Sequence, residues 1–175
     1  GLSFHVGSQS RTPAMHVHAI EQCHAIMQEY ATHADTPLST LDIGGGFPVR
    51  YCEDVPDIEK FCAPLNAALN KLDDNIHVIA VPGRYLVAAS AMSVTSVTGN
   101  AIRNGRNWYY LDDGVYGVYS GKIFDHADYP VRSIRQGVLF PACLAGPTCD
   151  SIDIVKEDIA MPLLVPGDLV VGEMM

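Results

Sequence analysis

The sequence predicts two architectures in succession: a parallel α/β part over residues 1–90, then an antiparallel β part over residues 91–175. Three observations predict it. The first half alternates short apolar runs with stripes at helical spacing, in the order strand, helix, strand, helix, strand. The second half loses the 3.6-residue period and carries short β-like runs separated by turns. Within it, Asn104-Gly105 stands between two such runs and is a strong two-residue hairpin signal.

Taken in order, Leu2–Val6 reads as a short buried strand, broken by Gly7-Ser8-Gln9-Ser10. Thr12 is the expected cap of a first helix, with Pro13 in its first position, where the missing N–H costs nothing. Val17, Ile20, Cys23, Met27 and Tyr30 form its apolar stripe, and Thr36-Pro37 ends it. Leu38–Ile43 is a second strand, followed at once by Gly44-Gly45-Gly46. Asp57 caps a second helix whose apolar face is Ile58, Phe61, Cys62, Leu65, Leu69 and Leu72; Pro64 inside it is expected to kink it or move its start. Ile76–Val81 is the third strand, closed by Pro82-Gly83. Beyond residue 90, strands are expected at Met92–Thr98, Ala101–Arg103, Trp108–Leu111, Val115–Ile123, Val138–Phe140, Ile152–Val155 and Leu169–Val171. Three parallel strands cannot close a barrel, and the chain begins and ends inside apparent strands. The expectation is therefore a piece of a larger fold, or one whose edges a partner chain covers.

Composition narrows the function classes. Of 175 residues, 48% are hydrophobic and 18% charged, which supports a folded core. Twenty acidic against eleven basic residues give a net charge of −9, which argues against nucleic acid as a partner. No apolar run approaches the ~18 residues a membrane span needs. Gly1-Leu2-Ser3-Phe4-His5 lacks the basic and apolar regions of a signal peptide. The five cysteines (Cys23, Cys52, Cys62, Cys143 and Cys149) are odd in number and form no C-x-x-C pair. That usage fits free thiols in a reducing, cytoplasmic setting, and no metal site is expected.

The ends of the three parallel strands are the first place to look for chemistry, because α/β sheets and barrels bind ligands at the carboxyl ends of their strands. These ends carry His5 and Ser8, then Gly44, Gly45 and Gly46, then Gly83 and Arg84. Exposed glycine N–H groups and a fixed cation make a phosphate cradle; the glycine run alone reads equally as a flexible turn. His5 alone also reads as a core histidine. His16, His18 and His24 lie on the first helix, but His16 and His18 point to different faces, so a solvated helix is expected there rather than a metal site. In the second half, Gly146-Pro147-Thr148-Cys149-Asp150-Ser151 sets a thiol beside a carboxylate in a turn, as a proton donor and a cation holder or as an ordinary Asp turn.

Taken together, Phe4-His5-Val6-Gly7-Ser8, Leu41-Asp42-Ile43-Gly44-Gly45-Gly46-Phe47-Pro48, Pro82-Gly83-Arg84-Tyr85, Asp113-Gly114-Val115-Tyr116-Gly117, Phe124-Asp125-His126 and Gly146-Pro147-Thr148-Cys149-Asp150-Ser151 resemble the fold-type III, pyridoxal-phosphate-dependent decarboxylases of basic amino acids. The ornithine and lysine branch is the nearer one. The resemblance implies the last strands and helices of a (β/α)8 alanine-racemase-like barrel, followed by most of a carboxy-terminal antiparallel β domain. It also implies conversion of ornithine or lysine to the diamine (putrescine or cadaverine) in polyamine biosynthesis, with pyridoxal 5'-phosphate as cofactor. His5 would stack on the cofactor ring, and Ser8, Gly44, Gly45, Gly46, Gly83 and Arg84 would bind the cofactor and its phosphate. Tyr116 and Asp125 would line the substrate site. Cys149, as proton donor, and Asp150, on the substrate amine, would reach across a homodimer interface.

The chain also departs from the family pattern. Where the family has a glutamate before Pro-Gly-Arg, to pair with the protonated ring nitrogen, this chain has Val81. None of Lys60, Lys71, Lys122 and Lys156 sits in the family's Schiff-base lysine motif, which lies earlier in the barrel. The chain also stops before the family's Gly-Ala-Tyr stretch. A non-catalytic homologue or fragment that binds a decarboxylase or its regulator is the second expectation.

Overall fold

A computed structural model describes residues 1–175. The chain forms two compact units: Gly1–Arg50 with Asp54–Leu86, and Tyr51–Glu53 with Val87–Met175.

In the α/β unit, β1 (Leu2–Ser3), β2 (Thr40–Asp42) and β3 (His77–Ile79) pair in parallel in the order β1-β2-β3. Two helices connect them, α1 (Ala14–Ala31) and α2 (Ile58–Leu69). Ile20 and Met27 of α1 and Phe61, Leu65 and Ala68 of α2 join Leu41, Ile43 and Phe47 in one buried cluster. Each fully buried large side chain contributes roughly 1.5–3 kcal/mol to the fold. Asp57 caps α2 as expected, accepting from the Glu59 N–H at 2.9 Å. Pro64 lies inside α2 and does not move its start, which stays at the Asp57 cap; its missing N–H leaves only the carbonyl of exposed Lys60 without a helical donor. Thr12 is not the cap of α1. The helix starts at Ala14 from Pro13, with no side-chain cap bond. A third short helix, α3 (Gly83–Val87), opens directly after the turn that follows β3.

The β unit is a six-stranded sheet. Its strands are β4 (Met92–Arg103), β5 (Arg106–Leu111), β6 (Val131–Ser133), β7 (Phe140–Ala145), β8 (Ile154–Met161) and β9 (Leu169–Glu173). They are ordered β6-β9-β4-β5-β7-β8. Asn104 and Gly105, at φ 51° and 74°, make the tight turn between β4 and β5, with Arg103 opposite Arg106. All pairings are antiparallel except β5 with β7, which is parallel; between them the chain passes through α4 and through β6 at the far edge of the sheet before it returns beside β5 at Phe140. The segment read as a strand at Val115–Ile123 is instead a turn leading into a short helix, α4 (Gly121–Asp125). Gly117 explains the turn: a Cβ there would lie 2.0 Å from the Asp113 carboxylate, so the chain folds back on that residue. The core holds Tyr109, Leu111, Tyr119, Leu144, Met161 and Val170. The Tyr109 hydroxyl donates to the Pro162 carbonyl at 3.1 Å and accepts from the Leu164 N–H at 3.2 Å, so the buried phenol is satisfied.

Candidate functional site

The residues singled out from the sequence fall into two groups, one in each unit.

In the α/β unit, the carboxyl ends of β1, β2 and β3 do bring His5, Ser8, Gly44, Gly45, Gly46 and Arg84 into one neighbourhood. The glycines are required there by steric contact. A Cβ on Gly44 (φ +68°) would lie 2.1 Å from the Phe4 carbonyl oxygen, and one on Gly46 (φ +89°) 2.3 Å from that of Gly7. Three carbonyls of the loop are held: Gly44 by Val81 N–H at 2.9 Å, Gly45 by His16 Nε2 at 2.9 Å, and Gly46 by Ser10 N–H at 2.8 Å. Gln9 ties the turn after β1 to Val49, donating to its carbonyl at 2.9 Å and accepting from its N–H at 2.7 Å.

The N–H groups of this loop differ from the sequence expectation. Gly44 N–H is engaged by Asp42 Oδ1 at 2.8 Å and Gly45 N–H by His5 Nδ1 at 3.3 Å. The Gly83 N–H turns back to the Val81 carbonyl at 2.8 Å. An anion at this position therefore meets the lining of a small recess in which Ser8, Gly46, Pro82 and Arg84 stand together. Gly83 adds room rather than a donor: a Cβ there would meet nothing within 4 Å.

His16 is the residue the sequence misplaced. It is fully buried rather than solvated, with its ring 5.3 Å from that of Phe47 and 5.6 Å from that of Phe61. The signal was present, since position 16 precedes buried Ile20 by four residues and so shares its helix face. His18 is exposed, as expected of the solvated face.

In the β unit, Tyr116, Cys149 and Asp150 lie on two neighbouring loops. The Tyr116 hydroxyl donates to Asp150 Oδ2 at 2.6 Å. That bond, with the N–H groups of Ile152 and Ser151, holds the Asp150 carboxyl below its ordinary range despite a small opposing desolvation. The same bond raises the Tyr116 hydroxyl above its ordinary value, aided by desolvation and nearby carboxylates. The pair is thus a carboxylate and a neutral phenol over the whole neutral range. Cys149 is an exposed free thiol on the same turn. Cys143 on β7 is the contrast: burial, reinforced by Glu157, pushes its thiol up to about 11. Asp125 ends α4 and is partly exposed, and His126 after it takes the left-handed conformation at φ 54°.

The buried link between the two loops is Asp153, which sequence reasoning did not single out. Its carboxylate, 1% exposed, accepts from Val115 N–H at 2.9 Å on one oxygen. The other oxygen takes the Thr148 N–H at 3.0 Å and the Thr148 hydroxyl at 2.7 Å. A Cβ on Gly114 or Gly146 would stand 2.1 Å from Asp153 Oδ1, so both glycines make room for this carboxylate. Tyr116 follows Val115 and Cys149 follows Thr148, so one buried side chain sets the position of both.

Comparison with known proteins agrees along the whole chain. Residues 1–88 match the family described as pyridoxal-dependent decarboxylase, pyridoxal binding domain, and residues 84–175 match its C-terminal sheet domain. The chain is 37% identical over 171 residues to the lysine/ornithine decarboxylase of Selenomonas ruminantium, covering 97% of this chain and 43% of that protein. It is 30% identical to antizyme inhibitor 2 of Xenopus laevis, covering 100% of this chain and 42% of that protein. The crystal structure of lysine/ornithine decarboxylase complexed with cadaverine from Vibrio vulnificus superposes with a TM-score of 0.91 at 52% identity, covering 99% of this chain and 48% of that one. The chain thus spans less than half the length of these relatives.

Proposed function

The chain belongs to the pyridoxal-dependent decarboxylases, and from that premise we propose that it serves the decarboxylation of a basic amino acid, ornithine or lysine, to its diamine in polyamine biosynthesis. The observation that carries the proposal is the Tyr116–Asp150 pair beside the exposed Cys149 thiol, held in place by Asp153. A carboxylate kept ionised on an accessible turn suits a distal ammonium, and a neighbouring thiol suits delivery of a proton to carbon.

Pyridoxal phosphate, when bound, supplies the electron sink for the pair left on the α-carbon as carbon dioxide departs. The recess at the strand ends fits its phosphate. Ser8, Gly46 and Arg84 line the recess, and Gly83 leaves space that no atom of this chain fills. In this reading Gly44 and Gly45 shape the loop rather than donate to the phosphate, and His5 faces the ring. Asp125 and Asp150 hold the substrate ammonium, Tyr116 orients Asp150, and Cys149 Sγ–H gives the α-carbon its proton. Cys149 and Asp150 act in the partner subunit of a homodimer. Ornithine and lysine differ by one methylene, a difference worth only ~1–3 kcal/mol of discrimination.

The test is carbon dioxide release from ornithine and from lysine with added pyridoxal phosphate, by the chain alone and with a complementing fragment that carries the cofactor lysine. Turnover requires the complement; none under either condition rejects the proposal.

Val81 favours a second reading, a non-catalytic homologue that binds a decarboxylase or its regulator. It is 54% exposed and has no carboxyl to hold a proton on the ring nitrogen. Val81→Glu separates the two. A rise of on the order of tenfold or more in turnover of the complemented enzyme marks a weakened catalytic site. No change, together with capture of a decarboxylase chain, favours the binding role.

A further inference from the structure

We propose that His16 is a positioning residue: from inside the α/β core it donates Nε2–H to the Gly45 carbonyl, and so fixes the glycine whose N–H holds His5 in its Nε2–H tautomer. The inference rests on the reading of His5 as the imidazole that faces a bound ring.

Burying an imidazole is costly unless its polar atoms are satisfied. His16 has no exposed surface, and its ring lies against Phe4, Phe47 and Phe61 at 6.3, 5.3 and 5.6 Å between centroids. Phenylalanine would fill such a site with no polar atom to satisfy, whereas a buried polar atom without a partner is costly. Of the two ring nitrogens, Nδ1 has no partner. Nε2 has one, the Gly45 carbonyl at 2.9 Å. A carbonyl only accepts, so Nε2 carries the proton and Nδ1 is a bare lone pair. What the imidazole adds over a phenyl ring is this one bond.

The bond differs in kind from its neighbours. The Gly44 and Gly46 carbonyls are held by the backbone N–H groups of Val81 and Ser10, donors that the parallel topology provides whatever the side chains. Gly45 is held by a side chain, and so by the sequence. Its own N–H points the other way, to His5 Nδ1 at 3.3 Å. An N–H donor requires a lone pair on Nδ1, so a neutral His5 bears its proton on Nε2 and presents that N–H outward from the exposed ring. Gly45 therefore links the two imidazoles: His16 holds its carbonyl and its amide holds His5.

The experiment is nitrogen-15 NMR of the histidine-labelled protein at a pH where both imidazoles are neutral, with hydrogen exchange at the Gly45 amide. In the unmutated protein, both His16 and His5 are expected as Nε2–H tautomers. A proton on Nδ1 of either ring overturns the proposal with no variant needed. His16→Phe keeps the volume and removes the donor. It is expected to speed Gly45 amide exchange by about tenfold or more and to bring the Nδ1–H form of His5 into the spectrum. His16→Gln, whose amide reaches the Nε2 position, is expected to restore both to within about threefold. Unchanged exchange and an unchanged His5 tautomer in His16→Phe overturn the proposal, as does failure of the glutamine to rescue. Pyridoxal phosphate binding, followed by absorbance in the unmutated protein, tests the decarboxylase reading separately. Its failure removes that reading of His5, while the tautomers still decide the role of His16.

Discussion

The glycine loop of the α/β unit, largely buried, and the exposed Thr148–Asp150 turn of the β unit are both short connections, yet they are placed by different means. The glycine loop is wedged between the ends of β1 and β3, where the Val81 and Ser10 N–H groups hold two of its carbonyls and the side chains of Asp42, His5 and His16 engage Gly44 N–H, Gly45 N–H and the Gly45 carbonyl. The turn in the β unit hangs on one carboxylate, Asp153, which reaches Val115 across 38 residues of sequence. A parallel sheet delivers its strand ends to one edge by topology alone. A hairpin-rich sheet does not, and a buried side chain must bring its loops together. The first connection takes its position from topology and adds side-chain bonds to it; the second takes its position from a side chain. Both are intolerant of added backbone bulk, at Gly44 and Gly46 in one and at Gly114 and Gly146 in the other.

Asp153→Ala is the most direct way to break this contrast. It strands two N–H groups and a hydroxyl, and is expected to cost about 3–5 kcal/mol in denaturant unfolding of the β unit. Asp153→Asn cannot rescue it, because one amide edge would turn donors toward donors. Little change in either variant would mean that the two loops hold themselves in place. On the other side, Gly44→Ala puts a methyl group against the Phe4 carbonyl at positive φ and is expected to cost about 2–4 kcal/mol.

Gly83→Ala sharpens the comparison because it separates fold from function. The added methyl meets no atom of the chain, and alanine is the better helix former by about 0.5–1 kcal/mol. Stability is expected to hold or rise slightly. Pyridoxal phosphate affinity is expected to fall by about tenfold or more, if the open space is the cofactor's. Equal affinity in Gly83→Ala would show that the recess is not the phosphate site.

The same contrast explains what was legible in the sequence. Strand ends in a parallel α/β unit can be read from their order, so His5, Ser8, the glycines and Arg84 could be gathered without coordinates. The fate of the N–H groups could not, because it depends on which neighbour each meets: Asp42 for Gly44 and His5 for Gly45. The polarity of His16 points to solvent, whereas its spacing to Ile20 and Met27 places it on the buried face. In the β unit, Asn104-Gly105 announced its hairpin through local chemistry. Asp153 had no readable signal for its linking role, since Val115, the partner that ties it to the other loop, is 38 residues away and its environment is made by the absence of side chains at Gly114 and Gly146. The strand expected at Val115–Ile123 failed for the same reason. Valine, tyrosine and isoleucine favour strands, but the Asp113 and Asp153 carboxylates take the N–H groups of Gly114 and Val115 that a ladder would need.

The smallest expected effect is electrostatic and tests whether the turn in the β unit is tuned as well as placed. Tyr116 and Asp150 are both exposed, so their bond adds little to the fold. Its effect is on protonation. The Asp150 carboxyl lies below its ordinary value in the folded state, first because of the Tyr116 hydroxyl. A depressed carboxylate contributes stability that is present above the unfolded value of ~3.9 and is lost as pH falls through the folded value. Tyr116→Phe removes the main cause, so the Asp150 midpoint is expected to rise toward the unfolded value in a carbon-13 carboxyl titration. The unfolding curves of the two proteins should then differ above that range and converge in stronger acid. Loss of activity in Tyr116→Phe with an unmoved Asp150 midpoint would mean that the phenol meets the substrate directly. A moved midpoint with activity reduced only toward acid pH would mean that it acts through the carboxylate.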